Sequence, residues 1–382
     1  MKISIRSTHV LVIMGAISVA LMLWIELTKR ETEQPYFEEK MKAATRMASA
    51  IEYLKEKHFK NEISVDNIND PNDTKMIGTQ FSPITSGKGS LPIKLSTVNP
   101  NFAALVVQLF KEAGLQSGDH IGVCATGSFP AMNLAVCIAS EVLGLKMTFI
   151  GSVTSSSWGA NDPYYTYLDM HSSLIEGGFL HEKIIASSIG GNDDLGRTLS
   201  EEGRGMAVEA IRRNGVPMIN ENSLRKDIAK RIGIFREQER LMNDELKLFV
   251  NVGGGIASLG SARNSVAIPS GLVEDIKLRD FPDKHGVLFE MAANGKKVIN
   301  LLNLNSLLAK YNMPIDPVPL PEPGAGELFN KMKYDYGNVG IAMFVLVSML
   351  TAVIIHDRKQ NALGKNVIYE NKEESAVVTD SF

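Results

Sequence analysis

Four short segments of the chain combine glycine with hydroxyl or amide side chains, and each follows an apolar run that reads as a β-strand. They are Thr126-Gly127-Ser128-Phe129-Pro130, Thr154-Ser155-Ser156-Ser157-Trp158, Gly190-Gly191-Asn192-Asp193-Asp194 and Gly253-Gly254-Gly255. Glycine lets a backbone come close to a ligand, and hydroxyls beside helix N-terminal N–H groups can hold an anion. Thr126, Gly127, Ser128, Ser155, Ser156, Gly190, Gly191, Asn192, Asp193, Gly253, Gly254 and Gly255 are therefore candidate ligand-binding residues. Each turn alone is also an ordinary strand-to-helix connection. Gathered on one sheet edge, the four would form a crevice for a small ligand or anion. Trp158 and Asn161 join the set, because they lie in a loop that leads into Tyr164-Tyr165-Thr166-Tyr167 and could contact a ligand or a partner.

Ser128 is the candidate nucleophile. It occupies a strand-turn-helix position, as a nucleophile elbow requires, although Thr126-Gly127-Ser128-Phe129-Pro130 is not G-x-S-x-G. A base must lie within hydrogen-bond reach of such a serine. His171 and His181 are the sequence's candidates, with Asp162, Asp169 or Asp193 to orient one of them. The competing role for Ser128 is a helix cap, its hydroxyl accepting from a backbone N–H of the next helix.

Several other chemistries are absent from the pattern. The stretch from Gly253 to Ser258 only partly matches a dinucleotide fingerprint, since Ser258 replaces the third glycine. Gly87-Lys88-Gly89 lacks the leading glycine and the closing hydroxyl of a phosphate-binding P-loop. The seven histidines are dispersed, with no H-E-x-x-H, so neither a metal site nor a cofactor is expected. Cys124 and Cys137 read as small buried hydrophobes with free thiols, a disulfide being the alternative. With 40 basic and 43 acidic residues and a net charge of −3, nothing suggests a nucleic-acid footprint.

The elements that must position these residues follow from apolar patterning. The 382 residues suffice for two to three structural units, at about 150 residues per domain. Candidate strands fall at 120–125, 147–153, 183–189, 246–252 and 297–302, and helical patterns at 102–113, 130–143, 164–175, 206–214 and 224–243. Their alternation predicts an α/β fold with a mostly parallel sheet and helices on both faces, a Rossmann-like three-layer arrangement. Upstream, Phe37, Met41, Ala44, Ala48, Ile51 and Leu54 recur at steps of three and four, which predicts an amphipathic helix packed on its own domain. The polar stretch 61–92 reads as loop.

Apolar runs at 9–27 and 336–355 are each long enough for a bilayer core of about 30 Å, and predict N- and C-terminal transmembrane helices. Two spans place both termini on one side. Lys2, Arg6, Arg358, Lys359 and Lys365 narrowly outnumber Lys29, Arg30, Lys331 and Lys333, which puts the termini inside. The expected order is a cytoplasmic N-terminus (1–8), a span (9–27), an amphipathic helix and loop (28–94), and an extracytoplasmic α/β domain (95–312). A Pro-rich stalk (313–335), a second span (336–355) and a disordered cytoplasmic tail (356–382) complete it.

The stretch from Gly122 to Asn133, the segments 155–161, 190–194 and 253–255, and the two apolar runs together resemble the bacterial poly-gamma-glutamate system protein family. That resemblance implies an accessory component of the machinery that makes and exports poly-γ-glutamate, a capsule or cell-surface polymer, at the inner (cytoplasmic) membrane. Its partners would be the lipid bilayer, other synthase subunits and the anionic polymer, and the machinery's ATP-using ligase is a separate subunit. The family supplies no catalytic residues to carry over. Arg197, Arg204, Arg212 and Arg213 could add charge-assisted contacts to a polyanion. The alternative class is an envelope serine hydrolase or amide-transferring enzyme using Ser128 on γ-glutamyl or peptidoglycan-like bonds. A third is a scaffold in which the turns bind nothing.

Overall fold

A computed structural model describes residues 8–59, 68–274, 276, 281 and 284–379. Lys2, Arg6 and the rest of segment 1–7, part of the 61–92 loop and residues 380–382 lie outside the described residues. The chain divides into two units. One joins the residues up to Glu33 with those from Asn330 onward, and the other is Gln34–Phe329.

The first unit begins with helix α1 (Thr8–Leu27) and strand β1 (Arg30–Glu33). The second begins with α2 (Phe37–Phe59), then β2 (Thr85–Gly87), α3 (Leu91–Thr97), α4 (Asn101–Glu112) and β3 (His120–Ala125). It continues through α5 (Pro130–Leu143), β4 (Lys146–Ser152), β5 (Ser155–Ser156), α6 (Tyr167–Glu176), β6 (Ile184–Ser188) and α7 (Glu201–Arg213). After β7 (Met218–Ile219), α8 (Leu224–Met242) and β8 (Leu246–Val252) come α9 (Ile256–Leu259), α10 (Ala262–Ala267) and β9 (Gly271–Val273). The unit closes on α11 (Val287–Ala293), β10 (Lys297–Leu301) and α12 (Asn305–Lys310).

Its seven-stranded sheet has the order β7-β6-β4-β3-β8-β10-β9 and is parallel except for β9, which runs antiparallel to β10. The chain builds outward from β3 to β7, then returns to lay β8 on the other side of β3. The carboxyl ends of β3 and β8 thus form a topological switch point, where connections leave in opposite directions and a crevice opens. β3 is buried along its whole length, and β8 at all but one position, which is why both read as near-continuous apolar runs. Alternate strand residues feed two hydrophobic clusters: Val123, Val250 and Ile299 enter one, Cys124, Phe249 and Val298 the other.

α5 is buried along nearly its whole surface, starts with Pro130 in its first turn and stops at Gly144 in the left-handed region. α2 packs on the same unit through Ala43, Ala44, Met47, Ala50, Ile51 and Leu54. Ala44, Ile51 and Leu54 are expected seam positions, Phe37 and Met41 pack partly buried against the same cluster, and Ala48 is half-buried.

Two expected boundaries move. Residues 34–94 belong to the α/β unit rather than preceding it, because α2 fills its core and β2 pairs with β5. The Pro-rich segment after residue 313 is no free stalk. Its backbone is held by side chains, with Asn72 Nδ2 donating to the Pro317 carbonyl (2.9 Å), Asn101 Nδ2 to that of Glu322 (3.0 Å), and Asp316 N–H to Ser96 Oγ (2.9 Å). Phe329 is fully buried and Lys40 Nζ donates to the Leu328 carbonyl at 2.9 Å.

The first unit resumes at β11 (Asn330–Lys333), which pairs antiparallel with β1, Arg30 opposite Lys333. Helix α13 (Tyr336–Thr379) follows and lies against α1. The helix continues well past Ile355 into the tail expected to be disordered. That tail contains no proline, and its Lys and Glu residues carry a helix at little cost. Thr8–Leu27 and Tyr336–Lys359 are both long and apolar enough to cross a membrane, and almost none of either is buried by protein.

Candidate functional site

The carboxyl edge of the sheet opens into a cleft of about 670 Å³. Thr126 and Ser128 reach it from the end of β3, Thr154 and Ser156 from β4 and β5, Gly191 and Asn192 from β6, and Gly254 and Gly255 from β8. The opposite wall comes from the loop after β2 and from Asn303 and Asn305 after β10. Seven of the sequence-derived candidates therefore meet on one surface: Ser128, Ser156, Gly191, Asn192, Gly254, Gly255 and Thr126.

The remaining seven do not line the cleft; they hold its turns. Gly127 donates to the Ser152 carbonyl (3.1 Å) and accepts from Ala160 N–H (2.8 Å). Ser155 is fully buried, its hydroxyl donating to the Ser156 carbonyl at 2.7 Å. Asn161 is also fully buried. Its amide bridges both backbone groups of Thr79 and the Thr85 hydroxyl (2.7–3.0 Å), fastening the segment around β2 to the sheet. Trp158 adopts φ 69° and exchanges backbone bonds with Gly78 and Thr79. Gly190 bonds to Asp194 and Gly196, Gly253 to Leu301, and Asp193 pairs with Arg197 at 3.1 Å.

Sequence reasoning missed the cleft's central residue. Lys94, on α3, is 1% exposed, and its ammonium meets Ser156 Oγ at 2.9 Å, the Ser128 carbonyl oxygen, and the face of Phe129 at 4.4 Å from the ring centroid. Among the described residues no carboxylate lines the cleft, so nothing there compensates the buried charge. Burial pushes the Lys94 pKa down to about 7. The only sequence signal was a lysine set among Leu91, Ile93 and Leu95, and a seven-residue helix is too short to show a periodicity.

The loop Gly87-Lys88-Gly89-Ser90 closes over this lysine. A Cβ on Gly89 would overlap the Ser157 carbonyl and stand 3.1 Å from Ser156 Oγ and 3.2 Å from Lys94 Cε. Only glycine lets the loop lie this close.

Ser128 does not meet a histidine. Its hydroxyl accepts from Ser156 N–H at 3.0 Å, while its own N–H donates to Thr126 Oγ1 at 3.2 Å. His171 is buried on α6 against Phe149 and Tyr167, with Nε2 2.8 Å from the Glu182 carbonyl and a pKa lowered to about 4 by desolvation. His181 is exposed and pairs with Glu141 at 2.9 Å. Neither lines the cleft, and Asp169 is taken up by Arg213 at 2.5 Å.

The other arginines expected to aid anion binding are also engaged elsewhere. Arg197 pairs with Asp193, Arg212 with Glu209 (2.7 Å), and Arg204 donates to the Leu199 carbonyl (2.7 Å). Beneath the turn after β6, Arg231 and Asp194 form a buried ion pair at 2.6 Å, each side chain 4% exposed, with Ser188 Oγ bridging them. Both cysteines are free and buried, and desolvation raises their thiols to about 12, which makes them poor nucleophiles. Among the described residues no cluster of three or more His, Cys, Asp or Glu side chains is placed to hold a metal ion.

No family model matches the chain, and no curated protein does. Among solved structures it is similar to a diaminopropionate ammonia lyase from Escherichia coli, at 10% identity over 88% of this chain and 90% of that one. The TM-score of that match is 0.16, too low to imply a shared fold.

Proposed function

We propose that this chain is a membrane-anchored accessory component of poly-γ-glutamate biosynthesis or export, and that its cleft holds a stretch of the γ-linked polymer. The observation that carries this reading is the lining. Hydroxyls, side-chain amides, glycine backbone and two lysines, Lys88 and Lys94, face the cleft, with no carboxylate among the described lining residues to repel a polyanion. Hydrogen bonds to charged acceptors are about twice as strong as neutral ones, so such a surface favours carboxylates.

Antiparallel pairing of β1 with β11 brings the end of α1 beside the start of α13, as a two-pass hairpin with both termini on one side requires. Lys2, Arg6, Arg358, Lys359 and Lys365, which narrowly outnumber Lys29, Arg30, Lys331 and Lys333, favour a cytoplasmic location for those termini and an extracytoplasmic one for the α/β unit. Two clusters fed by alternate strand residues suit a Rossmann-like three-layer domain. Synthase subunits are the protein partners this role calls for.

Two glycine variants test the cleft. A side chain at Gly254 meets no atom within 4 Å of its Cβ, so Gly254→Val should fold normally while projecting into the crevice. Its affinity for a γ-linked glutamate oligomer, titrated calorimetrically into the full chain in detergent, should fall at least about tenfold. Unchanged affinity would remove the cleft as the binding site. Gly127→Val is a different case: its Cβ would sit 2.6 Å from the Val153 carbonyl, so it should lower stability and be lost from the folded fraction.

A further inference from the structure

We propose that Ser156 and Lys94 are a nucleophile and its general base, which cleave or transfer amide bonds in a carboxylate-rich acyl chain held in the cleft. The choice of acyl chain rests on the polymer reading above; the pairing of the two side chains does not.

Geometry singles out Ser156. Its Oγ is 2.9 Å from Lys94 Nζ, within the reach a base needs. Ser128 offers Lys94 its carbonyl oxygen instead, which orients the amine, and its hydroxyl is occupied as the acceptor for Ser156 N–H. The result is a serine beside a buried lysine, positioned by a second serine. A serine–lysine pair is a known variant of the serine–histidine arrangement.

The surroundings keep the amine in its reactive form. Two elements meet Nζ, the Ser128 carbonyl and Phe129 ring at the start of α5 and the Ser156 hydroxyl on β5, while Gly89 lies close to the side chain at Cε. None of these groups titrates near neutrality, and the other cation of the lining, Lys88, is exposed. A pKa near 7 leaves a large neutral fraction at physiological pH. In that fraction the hydrogen bond reverses, and Ser156 O–H donates to the nitrogen lone pair. α5 begins at the cleft, with Phe129 as its N-cap and no side-chain cap hydrogen bond.

The steps balance without any co-reactant beyond water. Ser156 Oγ attacks the amide carbonyl carbon as its proton passes to Lys94 Nζ. The tetrahedral intermediate collapses, the C–N bond breaks, and the leaving nitrogen takes the proton from Lys94. Neutral Lys94 then takes one proton from a water whose oxygen attacks the ester; the bond to Ser156 Oγ breaks, Oγ recovers that proton from Lys94, and the acid departs, giving the water's second proton to solvent. An incoming amine in place of water would form a new amide, which is transfer.

The test uses the full chain in detergent with a fluorophosphonate probe, peptide mapping of the adduct, and calorimetric binding of a γ-linked glutamate oligomer in parallel. Wild type should be labelled on Ser156, and the rate should rise about tenfold between pH 6 and pH 8 with a midpoint near 7. Ser156→Ala, checked for folding by circular dichroism, should lose the label. Lys94→Arg keeps the charge but cannot act as base near neutrality, and should slow labelling by about 10²–10⁴-fold. Absence of labelling in the wild type, labelling on Ser128, or a Lys94→Arg protein labelled at the wild-type rate would each overturn the proposal. Oligomer binding without labelling would overturn the nucleophile and leave the binding role standing. Labelling on Ser156 without oligomer binding would support the pair and overturn the polymer as its substrate.

Discussion

Replacing Lys94 by methionine should flatten the pH dependence of stability, with the variant gaining most at low pH. The folded-state pKa of Lys94 is about 7, against about 10.5 for an unfolded lysine. Between those values the unfolded chain binds a proton that the native chain does not. The stability linked to Lys94 is therefore full above the unfolded value and is lost as pH falls through the folded one. A shift of this size corresponds to about 4 kcal/mol between pH 10 and pH 6. Methionine fills similar volume without a charge, at the cost of leaving the Ser128 carbonyl and Ser156 hydroxyl one partner short. Denaturant unfolding of both proteins at pH 6, 8 and 10 checks the difference. Parallel pH dependences would mean that Lys94 is not desolvated as the cleft geometry requires.

The second large effect concerns the pair below the turn after β6. Asp194→Ala leaves Arg231 96% covered without its ion-pair partner, Asp227 being the one acidic neighbour left among the groups that act on it, and should cost about 3–5 kcal/mol in denaturant unfolding. The same substitution removes the acceptor for Ser188 Oγ and the support for Gly191 and Asn192 in the cleft wall. Oligomer affinity should drop in whatever fraction stays folded. Replacing both partners by apolar residues, Asp194→Leu with Arg231→Met, should recover much of the loss, because the cost lies in the unpaired charge. A loss under 1 kcal/mol for Asp194→Ala alone would show that water reaches Arg231.

How much of this was legible beforehand differs between framework and site. The strands 120–125 and 246–252 were legible to the residue, because central parallel strands are apolar on both faces and end at turn residues. α5 carried Pro130 at one end and Gly144 at the other. β1 and β11 were not legible: Arg-Glu-Thr-Glu and Asn-Lys-Met-Lys are exposed and polar, and their pairing is set by adjacent helices rather than by a buried face. β7, β9 and helices α9 to α12 span only two to seven residues each, too few for either period to register.

In the site, glycine and hydroxyl content located the four turns but not which of their atoms face outward. Asn161, Ser155 and Trp158 look like ligand groups in a list of residues. In the fold their hydrogen bonds are spent on Thr79, Thr85, Gly78 and the local backbone. Lys94 shows the reverse failure. A lysine is ordinarily solvated, and this one is buried only because β2, β5 and the turn before α5 meet above α3, a tertiary event with no local signature.

The central claim, that the cleft takes an anionic polymer, is tested most directly by the sign of its pH dependence. Calorimetric titration of a γ-linked glutamate oligomer into the full chain should be run at pH 6, 7 and 8.5, where the ligand's carboxylates stay ionised. Protonated Lys94 attracts a carboxylate and neutral Lys94 does not, so affinity should fall as pH rises through about 7, and the fall should vanish in Lys94→Met. Affinity that is absent, or that stays level from pH 6 to 8.5 in the wild type, would contradict the account.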